Sequence, residues 1–274
     1  MKVNVAGVHT TKPRTQPYVD AFVKGAGGEK IYQYKDIRNK LPNEELVLYG
    51  ILAGSGEIYK KCIKENKNFY YMDHSYFANC HNSPYWFRIT KNKHCQNKLM
   101  DVPSDRYEKF FAREIKSWNK DGEDILVLPP TNAICDFFNV EDWLNQTLQT
   151  LKSNTDRKIR IREKPYNPMV AKDHLGATVK INKATNHQEN IIWSDYFAVV
   201  TYNSNTVIES LTNGVPVFCD SHLSAAAPIS ETDFSKIETP KYGDRFRLFS
   251  SLSYNTWNLQ ELKNGTAWRM LNEM

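Results

Sequence analysis

The chain has no run of about 18 apolar residues and so offers no membrane-spanning helix. Its opening, MKVNVAGVHT, has a strand's pattern and lacks the long apolar stretch of a secretory leader. Cysteine is sparse: there are five, Cys62, Cys80, Cys95, Cys135 and Cys219, widely spaced and never in a Cys-x-x-Cys pair. An odd, scattered set argues against a disulfide framework and against a zinc site. It predicts reduced thiols in a cytoplasmic protein. No Gly-Lys-Ser/Thr follows the one glycine-rich turn after a strand, so a Walker loop is excluded. An aspartate-rich metal motif is missing too, which predicts metal-independent chemistry. No internal repeat or low-complexity segment occurs.

What is present is an ordinary globular composition, 41% hydrophobic and 24% charged over 274 residues. That length suffices for one large or two small cores. The net charge of +5 is unevenly placed: residues 1–120 carry 21 Lys and Arg against 12 Asp and Glu, the remainder 15 against 19. The first part is therefore +9 and the second −4. Such a split suits either a polyanionic partner for the first part or a plain basic surface.

Short apolar strands alternate with helical patterns. Val3–Val8, Leu46–Gly50 and Phe69–Met72 have strand character, with a helix over Glu57–Asn66. Asp105–Trp118 predicts a longer helix, with Tyr107, Phe110, Phe111, Ile115 and Trp118 on one side. A polar hexapeptide, residues 119–124, then suits a domain linker. Ile125–Leu128, Lys158–Ile161 and the segment from Tyr196 to Asp220 carry the alternation onward. This order predicts a parallel sheet in each half.

The segment YFAVVTYNSNTVIESLTNGVPVFCD, residues 196–220, is the most informative stretch. It predicts strand, turn, helix, turn and strand, with Gly214 stopping the helix. Such a unit presents a helix N-terminus at the carboxyl edge of a parallel sheet, where anions bind. Glu209, in the helix, can accept hydrogen bonds from two sugar hydroxyls.

Through Ser204, Asn205, Thr206, Glu209, Gly214 and Pro216 this segment resembles the nucleotide-binding half of GT-B glycosyltransferases. The nearest flavours are capsule and surface-carbohydrate transferases and the DNA glucosyltransferases of T-even bacteriophages. The resemblance covers about a tenth of the chain. It implies an α/β fold of two Rossmann-like domains with parallel sheets facing a central cleft. Residues 1–120 would form a basic acceptor-binding domain and 125–274 a nucleotide-sugar-binding domain, with the C-terminal helix crossing back. The implied donor is a nucleotide diphosphate sugar, with UDP-sugar the first expectation.

Several residues are singled out on this basis. Arg162 and Lys164, at the end of the strand that Pro165 terminates, suit a diphosphate clamp or a solvated strand end. Ser55 and Gly56, in the Gly54-Ser55-Gly56 turn, suit a phosphate approach or a plain strand-to-helix turn. Asp73 and His74 close an apolar strand, and either could deprotonate an acceptor hydroxyl. Asp73 is the favoured base, against a turn-capping role. Trp86 and Arg88 lead into Lys91, Lys93 and Lys98, and with Lys12 and Arg14 would form a surface for double-stranded DNA. The preferred acceptor is then a hydroxymethylated base in DNA, such as hydroxymethylcytosine. The alternatives are a surface-polysaccharide transferase, a non-catalytic nucleic-acid-binding α/β protein and a nucleotide-sugar epimerase.

Overall fold

The computed structural model describes residues 4–77, 85–162, 178–180 (backbone) and 191–273. The chain divides into two compact units. The first comprises 1–96, 105–111 and 250–274, the second 97–104 and 112–249.

In the first unit β1 (Val5–His9), α1 (Gln16–Gly25), β2 (Lys30–Gln33), α2 (Tyr34–Ile37), β3 (Glu45–Tyr49), α3 (Ser55–Lys64) and β4 (Phe69–His74) alternate as the sequence predicts. Phe69 to Met72 are buried without alternation, as in a strand covered on both faces. The next strand, β5 (Trp86–Lys91), runs antiparallel to β4. The first sheet is therefore mixed, where an all-parallel one was expected. A short α4 (Asp105–Phe110) ends the first passage through this unit.

The helix expected to reach Trp118 stops at Phe110. Beyond it the backbone N–H groups of Lys116 and Asn119 donate to the carbonyls of Thr212 and Gly214, at 2.9 and 2.8 Å. A helix would spend those donors on its own carbonyls. A Cβ on Gly214, which has φ +83°, would stand 2.0 Å from the Ser117 carbonyl oxygen, so only glycine admits this crossing.

The second unit holds β6 (Asp124–Leu128), α5 (Asn132–Phe138), α6 (Trp143–Asn154), β7 (Ile159–Arg162), β8 (Thr178–Lys180), β9 (Tyr196–Thr201), α7 (Val207–Thr212) and β10 (Val217–Cys219). All strand pairs of this sheet are parallel, in the order β10-β9-β6-β7-β8. Its core joins Ile125, Val127, Leu144, Leu148, Ile161, Val200 and Phe218.

The chain leaves this unit within α8 (Arg245–Ser253). It completes the first unit with β11 (Thr256–Asn258), α9 (Leu259–Lys263) and α10 (Thr266–Glu273). The first sheet thus has the order β11-β5-β4-β3-β1-β2. Asn258 starts α9 with a capping box: its side chain accepts from the Glu261 N–H, and the Glu261 carboxylate accepts from the Asn258 N–H. Trp257, Leu262, Ala267 and Leu271 join Phe22, Val47, Tyr70 and Phe87 in one core. Each large side chain buried there contributes about 1.5–3 kcal/mol. Among the described residues no helix is long and apolar enough to cross a membrane. Cys62, Cys95, Cys135 and Cys219 are buried free thiols.

Candidate functional site

In an open parallel sheet, ligands bind outside the carboxyl ends of the strands, where the strand order reverses direction. In the second unit β7 and β8 extend the sheet to one side of β6, and β9 and β10 to the other. The reversal lies between β6 and β9. The turns that leave these two strands are Pro129-Pro130-Thr131, which leads into α5, and Tyr202 to Thr206, which leads into α7.

These turns are fastened by hydroxyls. Thr201, the last residue of β9, donates to the Leu128 carbonyl at 2.7 Å. Its oxygen in turn accepts from the Ser204 N–H at 3.3 Å. The Ser204 oxygen accepts from the Thr206 N–H at 3.3 Å and lies 3.2 Å from the Thr206 hydroxyl. Ser204 is buried, Asn205 and Thr206 are half-buried, and Glu209 is exposed on α7. The switch point is thus lined by neutral polar groups, with one carboxylate nearby able to accept from paired hydroxyls. Thr201, which fixes the two turns to each other, was not picked out from sequence. Its signal was a lone hydroxyl ending a buried β-rich run.

Arg162 ends β7, half-buried, on the strand next to β6. Along β7 the isoleucines are buried and the arginines partly exposed, as the alternation predicts. Arg160 forms an ion pair with the Asp124 carboxylate. Lys164 lies outside the described residues.

In the first unit Ser55 and Gly56 are buried, and the Ser55 hydroxyl lies 2.9 Å from the Gly50 carbonyl and 2.7 Å from that of Leu52. The turn satisfies itself, so the phosphate role expected of this pair gives way to the strand-to-helix turn.

Asp73 lies in a buried polar cluster. Its carboxylate accepts from the Tyr71 hydroxyl at 2.7 Å, from Arg88 Nη2 at 3.0 Å and from the His74 N–H at 2.8 Å. Arg88, opposite it on β5, also lies over the rings of Tyr71 and Tyr76 at 5.8 and 5.6 Å. Burial pushes the Asp73 carboxyl up. The Arg88 guanidinium, His74, His94 and the Tyr71 hydroxyl together outweigh this and hold it well below the usual carboxylate range. Burial and then Arg88 push His94 down to about 3. A carboxylate so strongly held as an anion has little affinity for a proton. Asp73 is an anchor for Arg88, which corrects its expected role as base. His74 ends β4 exposed.

Two members of the nucleic-acid surface expected from the aromatic and basic run, Trp86 and Arg88, are not at the surface. Trp86 is buried, its ring 5.3 and 4.6 Å from those of Phe110 and Phe111. Arg88 is buried in its ion pair. Lys91 donates to the Asn272 side chain at 2.6 Å and covers the Tyr70 ring. Lys93 is half-buried, while Lys12, Arg14 and Lys98 are exposed. Lys98 belongs to the second unit and the others to the first. No cluster of acidic, histidine or cysteine side chains that could hold a metal occurs among the described residues.

Compared with known proteins, the chain matches no family model. It also matches no curated protein sequence significantly. Solved structures do match it. One is the KpsC beta Kdo 2,4 transferase of Thermosulfurimonas dismutans, at 11% identity and a TM-score of 0.55, covering 99% of this chain and 98% of that one. Another is the KpsC beta Kdo 2,7 transferase of the same organism, at 13% identity and a TM-score of 0.55, covering 98% and 99%. At such identities the likeness is one of fold. The chain has a mixed α/β fold with two Rossmann-like units, of the GT-B class that the β9–α7–β10 segment suggested.

Proposed function

We propose that this protein is a glycosyltransferase that moves a sugar from a nucleotide-activated donor to a hydroxyl of an acidic surface polysaccharide. The observation that carries the reading is the end-to-end match to two sugar transferases, which leaves almost no part of either chain unaccounted for. The switch point between β6 and β9 supports it. Thr131, Ser204, Asn205 and Thr206 offer neutral donors to a phosphate, and Glu209 is available for a ribose or sugar diol. Arg162 supplies a cation to the same sheet edge. The donor belongs to the second unit and the acceptor to the basic first part of the chain.

The experiment is a transfer assay with a panel of nucleotide-activated sugars, activated Kdo and UDP-sugars included. The acceptors are acidic oligosaccharides and duplex DNA with and without hydroxymethylated bases. Transfer to an acidic oligosaccharide supports the reading. Transfer only to hydroxymethylated DNA would replace the acceptor and keep the chemistry. A donor nucleotide at about 100 times its Kd should stabilise the fold by about 2.7 kcal/mol, measured as a rise in melting temperature. Glu209→Ala should weaken the nucleotide more than inorganic pyrophosphate. Equal weakening of both would remove Glu209 from the diol role.

A further inference from the structure

Thr201 is the last residue of β9 and is fully buried. It follows Ala198, Val199 and Val200, in a run where valine would fill the same space without a polar group. A hydroxyl buried at such a place costs stability unless it is bonded. The Thr201 hydroxyl is bonded twice: it donates to the Leu128 carbonyl at 2.7 Å and accepts from the Ser204 N–H at 3.3 Å. Leu128 and Thr201 are the last paired residues of β6 and β9, so the hydroxyl adds a bond where the ladder ends.

Both turns of this switch point start at that bond. Pro129 and Pro130 follow Leu128 and have no N–H with which to fasten their own turn. Ser204 lies in the middle of the Tyr202–Thr206 turn, and its N–H is the group that Thr201 holds. The first sheet offers a comparison. Its strand order reverses between β1 and β3, and β1 ends there in His9, whose Nε2 lies 2.6 Å from Asp20 Oδ1 on α1. That bond runs from strand to helix, whereas the Thr201 bond runs from strand to strand and fixes the two turns to each other.

We infer that Thr201 is the positioning residue for the phosphate of the donor: its hydroxyl sets the spacing of the 129–131 and 202–206 turns before the ligand arrives. The inference rests on the reading of the second unit as the donor-binding one. Thr201 is too deeply buried to touch the ligand itself. Thr131 on one turn, with Asn205 and Thr206 on the other, is half-buried and within the ligand's reach at the sheet edge. A ligand held from two turns binds more weakly when binding must also order them. The loss then falls on the phosphate and not on the ribose.

The test is titration calorimetry of the full chain with inorganic pyrophosphate and a panel of nucleoside mono- and diphosphates, beside donor kinetics. A wild type that binds none of these would overturn the donor-site reading and this inference together. With binding established, Thr201→Val should weaken nucleotide and pyrophosphate alike, by about 10-fold, the scale of one hydrogen bond. Donor KM should rise by the same factor, with kcat changed by less than about 3-fold. Thr201→Ser, which keeps the hydroxyl, should bind within about 3-fold of wild type. A threonine with only a structural role would lower the melting temperature of the valine variant and leave the affinity of the folded protein within about 2-fold of wild type. That result would overturn the inference while leaving the donor-site reading intact. So would a serine variant as weak as the valine one, or a loss confined to the nucleotide with pyrophosphate unaffected. Should Thr201→Val not fold by circular dichroism, Thr201→Cys, whose thiol is a weak donor, takes its place, and wild-type affinity in that variant would overturn the inference equally.

Discussion

Replacing Asp73 with Asn distinguishes an anchor from a base. Arg88 has a side chain only 6% exposed, and its anionic partner, at 3.0 Å, is 22% exposed. Asn keeps the shape but removes the charge, and leaves a guanidinium enclosed by Tyr71, Tyr76 and the β4–β5 pair. Breaking a buried ion pair by removing one partner costs about 3–5 kcal/mol, chiefly the desolvation of the charge left behind. For a unit of this size that corresponds to a fall in melting temperature of about 10–20 °C. Asp73→Asn/Arg88→Met should recover most of the loss, because no buried charge then remains unpaired. The coupling between the two sites should be at least about 2 kcal/mol. The assay is calorimetry with chemical denaturation alongside transfer kinetics. The reasoning is refuted if Asp73→Asn melts within about 2 °C of wild type and loses about 100-fold in turnover, since Asp73 would then be the base.

Acid should weaken the first unit through the same cluster. The folded values of His94 and Asp73 both lie below their ordinary ones. Their contributions are complete above the ordinary values, about 6.5 for histidine and about 3.9 for aspartate, and fade as pH falls toward the folded values. Stability should therefore drop between about pH 6.5 and 4 with a slope near 1.4 kcal/mol per pH unit from His94 alone, and Asp73 should add to it below about pH 4. A pH series of urea midpoints with His94→Phe should show the upper limb flattened, and an unchanged limb would point to other groups. A second prediction concerns Arg106, which bonds Glu261 at 2.6 and 3.2 Å and the carbonyls of Ser253 and Thr256, and lies 4.2 Å over the Trp257 ring. Arg106→Met should destabilise by about 3–5 kcal/mol, read from denaturant midpoints. A loss under about 1 kcal/mol would mean that α4 is not needed to hold the C-terminal segment.

Much of the fold was legible because it is local. β9, α7 and β10 declare themselves through strand and helix periodicities and a glycine stop within 25 consecutive residues, and all three are present. The failures are long-range. The apolar spacing from Tyr107 to Trp118 is helical, but the N–H groups of Lys116 and Asn119 find better-placed carbonyls about a hundred residues downstream. β5 was mistaken for a surface run because Arg88 and Lys91 look solvent-bound in sequence. Their partners, Asp73 and Asn272, come from β4 and α10. Net charge counts cations without regard to commitments. Arg88, Arg106 and Lys91 contribute to the +9 of the first 120 residues, yet all three hold parts of the first unit together. The polyanion argument therefore weakens for duplex DNA, which needs many free cations along a phosphate track. An acidic oligosaccharide, with charges spaced one sugar apart, needs few.

The two switch points show why chemistry must be read from topology as well as from residue type. In the second unit the edge between β6 and β9 is built from Thr201, Ser204, Asn205 and Thr206, groups that donate without carrying charge. Neutral donors suit a phosphate that must bind, give up its sugar and then depart, because a fixed cation at every contact would retain the product nucleotide. In the first unit the corresponding edge carries His9, whose Nε2 lies 2.6 Å from Asp20 Oδ1. Asp20 lies eleven positions after His9 in the sequence, and the turn from β1 into α1 brings them together. Asp73 and His74, adjacent in sequence at the end of an apolar strand, looked a catalytic pair. β5, the antiparallel neighbour of β4, brings Arg88 opposite Asp73 and commits that carboxylate to structure. β1 instead has β2 and β3 as parallel neighbours, and His9 at its end finds its partner on the crossover helix. Strand order thus decides which partner each polar strand end meets.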